Sequence, residues 1–249
     1  MIEAAIWRAH ALGTPVSAVV SSGWSRLDEE LPGGGWPCRS LIEVLSPQSS
    51  VLEWRLVGPA LRSLVDQDKT VVVVGPPKAP HLPGLVHCGL DERHLVWIAA
   101  ATPAERLWCT EQLVKANAAG LLLAWLPQAR PEQIRRLQVA AQGSEGLVFL
   151  FRPRMAAAES SAAPLRVQAD LGPDWSLQIR LLKRRGAMLD AALVLPSVPG
   201  GLDTVLTPRL CNPAALRPRQ GAADREGAAD AVGSHRIALL RERRPVGAH

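Results

Sequence analysis

Tyrosine is absent from the 249 residues and phenylalanine occurs twice, so eight tryptophans carry nearly all the aromatic bulk. They are scattered from Trp7 to Trp175, which suits anchors of a core or an interface. Cysteine is also scarce. Cys38, Cys88, Cys109 and Cys211 form no C-x-x-C pair, which excludes a zinc ribbon and a dithiol redox motif. His81, His87, Cys88 and His94 come with no acidic support, and adjacent His87 and Cys88 suit one ion poorly, so no metal is expected. Long apolar runs are missing too. The longest, such as 121–126, fall far short of the roughly 20 residues that span a bilayer. Glu3 interrupts the start of the chain, so no export signal is read; the expected location is the cytoplasm, away from membranes.

Apolar residues make up 47% and charged residues 20%, enough apolar surface to order most of the chain. Lys and Arg number 28 against 23 Asp and Glu, a net +5 that favours polyanions or acidic partners. Short apolar runs at 41–45, 69–74, 94–99, 121–126 and 147–151 alternate with helix-like stretches at 52–66, 103–117 and 131–142. That alternation predicts an α/β fold with a mostly parallel sheet covered by helices on both sides. Further strands at 165–169, 176–183 and 191–195 are expected to extend it antiparallel. A short amphipathic helix is expected at 2–12, a core domain over 16–207, and a disordered basic tail over 208–249.

The motif such a fold would use for a nucleotide has decayed. A phosphate-binding loop reads G-x-x-x-x-G-K-[ST]: backbone N–H groups cradle phosphate, the lysine neutralises it and the hydroxyl holds Mg²⁺. At that place the chain reads SPQSSVLEWRL. Ser46 and Val51 replace the glycines, Leu52 the lysine, and Glu53 the hydroxyl, where a carboxylate would repel phosphate. The strand at 121–126 ends in Trp125, Leu126 and Pro127, without a metal-binding aspartate; Gly75-Pro76-Pro77-Lys78 follows the second strand, without a catalytic glutamate. Arg152 and Pro153 stand where a terminal-phosphate sensor would be. ATP chemistry and a cofactor are therefore not expected.

Ahead of the loop, Ser21-Ser22-Gly23, Leu27-Asp28, residues 31–35 and Trp36-Pro37 resemble the lead-in to the phosphate loop in RecA-family recombinases. With 79–84 (APHLPG), 124–128 (AWLPQ), 135–138 (RRLQ), 149–153 (FLFRP) and 181–186 (LLKRRG), the chain resembles the ImuA family over roughly 7–196. The resemblance implies a RecA-like core with a degenerate phosphate loop. It also implies a non-enzymatic accessory role in SOS-induced mutagenic translesion synthesis, acting with ImuB, an error-prone DNA polymerase and RecA. The SulA cell-division inhibitors, also SOS proteins with a shortened RecA-like core, are the alternative. A DNA-dependent ATPase is a further one, which the loop opposes.

Candidate contacts for partners, or for weak, salt-sensitive DNA binding, are the basic groups. Arg135 and Arg136 face outward from the helix at 131–142. Arg152 and Arg154 open the segment matching a recombinase DNA loop, and Lys183, Arg184 and Arg185 end a strand. In the tail, Ile237, Leu239 and Leu240 offer an apolar anchor among Arg241, Arg243 and Arg244, suited to folding on a partner.

Overall fold

The computed structural model describes residues 18–79, 81–199 and 202–213. The chain divides between Leu216 and Arg217. The expected N-terminal helix at 2–12 and the tail anchor Ile237 to Arg244 lie outside the described residues.

A short strand β1 (Val19–Val20) leads to a one-turn helix α1 (Ser25–Asp28), and β2 (Trp36–Pro37) returns antiparallel to β1. The lead-in motif is knitted together here. Asp28 accepts from Ser21 Oγ at 2.6 Å and from Ser22 N at 2.8 Å, while Leu27 is fully buried. Gly23 has φ +77°, and a Cβ there would lie 2.4 Å from the Cβ of Pro59, so only glycine permits this approach.

The main sheet contains β3 (Leu41–Ser46), β4 (Val71–Val74), β5 (Leu95–Ile98), β6 (Leu121–Trp125), β7 (Leu147–Pro153), β8 (Leu165–Leu171), β9 (Ser176–Lys183) and β10 (Leu193–Pro196). Their order is β10-β9-β8-β3-β7-β6-β4-β5. From β8 to β5 all neighbours are parallel, and β9 and β10 extend the sheet antiparallel. The expected strand at 165–169 is thus parallel to β3, not antiparallel. A 3-10 turn at Arg154–Ala158 and the residues after it carry the chain back along the sheet, as a parallel neighbour requires.

The helices are α2 (Glu53–Val65), α3 (Leu82–His87), α4 (Pro103–Lys115), α5 (Pro131–Ala141) and α6 (Pro208–Cys211). On one face of the sheet, Leu56, Val57 and Leu61 of α2 join a layer with Val71, Val73, Leu121, Leu123 and Phe149. On the other, Ile134, Leu137 and Ala141 of α5 pack with Val72, Val74, Leu122, Val148 and Leu150. Burial on both faces is why the central strands read as unbroken apolar runs rather than alternating ones. Helix α4 opens on a capping box: Thr102 Oγ1 accepts from Glu105 N, and the Glu105 carboxylate accepts from Ala101 N and Thr102 N. Sequence patterning gave no sign of α3, which is too short for a helical period. Helix α6 falls inside the stretch expected to be tail.

Candidate functional site

Strand β3 ends at Ser46, and residues 47–52 turn into α2 at the carboxyl end of the parallel strands, where open α/β sheets bind ligands. The first N–H groups of a helix have no partner within it and carry the positive end of its dipole, so this turn can hold an anion. Here the anion belongs to the chain. Glu53 Oε1 accepts from Ser50 N at 2.9 Å, and Oε2 accepts from Val51 N at 3.0 Å and Leu52 N at 3.1 Å. Ser50 adopts φ +64°, which helps turn the loop onto this carboxylate. The carboxylate that the sequence places beside this turn is itself bound to the N–H groups of the turn.

A lid closes over it from the sheet. Trp125, the last residue of β6, is 2% exposed and donates its indole N–H to Glu53 Oε1 at 3.3 Å. In register beside Trp125 stands Phe151 of β7, with ring centroids 4.6 Å apart. Glu53 is 1% exposed as a result. Leu52 and Ser46 are also buried, so the residue at the lysine position joins the core. After β4 the chain turns at Gly75, φ +56°, where a Cβ would meet Arg106 at 2.6 Å.

On the opposite face of the sheet lies a second buried charge cluster, spread over three adjacent strands. Glu43 of β3 is fully buried and pairs in register with Arg166 of β8. Its Oε2 accepts from Arg166 Nε at 2.6 Å, and its Oε1 from Arg152 Nη1 at 2.8 Å. Arg152 also donates to Ala129 O and to Glu159, both through Nη2. Burial opposes the charge on Arg152, but its bonds to Glu159 and Glu43 win, and its pKa is raised. Arg166 donates to Ala156 O and Ala157 O. The segment that follows β7 is thereby clamped to the sheet at its first turn.

Arg152 is therefore withdrawn from the candidate contacts: at 2% side-chain exposure it cannot reach a partner. Arg184 is also engaged inside the molecule, donating to Glu30 Oε2 at 2.8 Å and to Ala187 O, with 11% of its side chain exposed. Arg154 pairs with Asp170 at 3.2 Å, Arg136 with Glu111 at 3.3 Å, and Lys183 donates to Ser161 O. Those three, with Arg135 and Arg185, are exposed. They do not form one cluster: Arg135 and Arg136 lie on α5, Arg154 follows β7, and Lys183 and Arg185 lie at the end of β9. Sequence reasoning missed Glu43 and Arg166. The signal for Glu43 was a charge inside an otherwise apolar strand run; Arg166 lies in an alternating run, 165–169, that gave none.

Among the described residues no group of three or more His, Cys, Asp or Glu is placed to hold a metal ion, and no helix is long and apolar enough to cross a membrane. No family model matches the chain. It is similar to the cell division inhibitor SulA of Photorhabdus laumondii, 26% identical over 112 residues, or 45% of this chain. The match spans 63% of that relative's length.

Proposed function

We propose that this protein is a non-catalytic binding protein of the SOS DNA-damage response, built on a nucleotide-binding fold that no longer takes a nucleotide. One observation carries the reading: the Glu53 carboxylate occupies the three N–H groups that would hold a phosphate. A phosphate entering there must displace a buried carboxylate and find no lysine, since Leu52 is in the core. Titration of the full chain with a fluorescent ATP analogue and Mg²⁺ is expected to give no saturable signal; micromolar binding overturns the reading.

Within that role, the motif set of the ImuA family supports an adaptor for an ImuB-like protein and an error-prone DNA polymerase, with RecA as a further partner. Co-purification of the full chain with an ImuB-like protein tests it, and no enrichment over a control overturns it. The similarity to a cell division inhibitor supports a second reading, in which the chain binds a tubulin-like division protein. A polymerisation assay with that protein separates the two, because an adaptor leaves assembly unchanged and an inhibitor blocks it.

A further inference from the structure

Beside Val51, in the turn ahead of α2, runs a groove of about 960 Å³, formed by Trp24 just ahead of α1, by α2 and α3, and by the ends of β8 and β10 with the turns that follow them. Three of the eight tryptophans line it: Trp24, Trp54 and Trp175. Two of them are pinned by their indole N–H groups, Trp24 to Leu56 O at 3.0 Å and Trp175 to Leu210 O at 3.0 Å. Arg55 braces the far wall, donating to Trp175 O, Ser197 O and Ser197 Oγ. Walls fixed in advance cost a ligand little ordering entropy. Leu171, 51% exposed, adds an apolar side chain at the rim.

The charge of the groove is one-sided. None of its lining residues is Asp or Glu, although the chain holds 23, while the Arg62 guanidinium is exposed along it. An aromatic, apolar wall with a guanidinium and no acid complements a segment that is apolar and anionic. We propose that this groove binds a peptide segment of a partner protein in which an aromatic or aliphatic anchor stands beside Asp or Glu. Tryptophan and arginine are the side chains that most often dominate such contacts. A single-stranded nucleic acid would need a cation for most of its phosphates. Arg55 is consumed by the wall, which leaves too little positive charge for that ligand.

The assignment rests on the binding-protein reading and adds where, and to what chemistry, the protein binds. Its test is a selection of displayed random peptides on the immobilised full chain, followed by affinity measurements on two variants. Recovered peptides should combine Asp or Glu with Trp, Phe or Leu. Their affinity should fall about tenfold for Trp54→Ala and for Arg62→Glu, a size typical of a central contact. Arg62 is exposed on α2, so Arg62→Glu reverses the charge without touching the core and should melt with the parent; Trp54 packs partly against the core, so affinities of Trp54→Ala are read well below its own melting temperature. No enriched peptide, or peptides that bind both variants as tightly as the parent, overturns the proposal. So does an oligo-dT strand that binds with the same dependence on Trp54 and Arg62, which would make the groove a nucleic-acid site. Nucleotide titration probes the cradle and not the groove, so a failure of the underlying reading shows up separately.

Discussion

Glu43, in the middle of β3, meets two guanidinium groups, whereas Glu53, just past the end of the same strand, meets three backbone N–H groups and an indole. Both are buried to within 1%. The first is balanced by whole charges from β7 and β8, the second by the partial charges of three N–H groups in the turn just ahead of α2 and of an indole. Each carboxylate fixes a turn: Glu43, through its two arginines, clamps the segment after β7, and Glu53 gathers the N–H groups of residues 50–52. The groove lined by Trp24, Trp54 and Trp175, by contrast, has no carboxylate among its lining residues.

If whole charges matter more than dipoles, Glu43→Gln should be the most damaging of the single changes. It leaves Arg152 and Arg166 buried without a carboxylate, an expected loss of about 3–5 kcal/mol in a urea unfolding series. Replacing Glu43, Arg152 and Arg166 together by apolar residues of similar volume should recover most of that loss, because the desolvation cost leaves with the charges. A triple variant as unstable as Glu43→Gln would break the comparison.

Glu53→Ala should cost less, roughly 2–3 kcal/mol, by leaving four N–H donors without their acceptor. Added sulfate should then stabilise the variant and not the parent, since the opened helix start becomes an anion site. Thermal melts with and without sulfate read both effects; equal sulfate response in the two proteins would show that the cradle had not been filled by Glu53.

Trp125→Phe keeps the ring packing on Phe151 but removes one of the four donors, so about 1 kcal/mol is expected. A loss as large as that of Glu53→Ala would mean that the tryptophan lid, not the helix start, holds the carboxylate in place.

The smallest effect belongs to the exposed counterpart, Glu105, which reaches back to the start of α4 without a lid. Bonds from the backbone of Thr102 and Ala101 hold its carboxyl below the usual range. A depressed pKa adds stability above the unfolded value and loses it as pH falls through the folded value. Glu105→Gln should therefore flatten the stability profile only on the acid side of the carboxylate range. An unchanged acid limb in the variant would remove Glu105 from that account.

Much of the architecture could be read from local pattern. The three long helices, α2, α4 and α5, and every strand of the main sheet fall where apolar runs, Gly and Pro place them, because periodicity is a property of neighbouring residues. That residues 46–53 do not spell a phosphate-binding motif was equally plain, as a motif is a spacing. What Glu53 does instead was not: its bonds to residues 50–52 depend on how the loop turns, and its bond to Trp125 on which strand ends above it. Glu43 meets Arg152 and Arg166 only because β3 lies between β7 and β8, and the strand direction of β8 was misread for the same reason. Arg152 looked like a surface charge in FLFRP and proved to be core. By itself the sequence determined the three long helices, the strands of the main sheet and their order, and that residues 46–53 do not spell a phosphate-binding motif. Only the tertiary structure decided which charges face inward and that three distant tryptophans share one groove, because those outcomes depend on pairing between segments far apart in the chain.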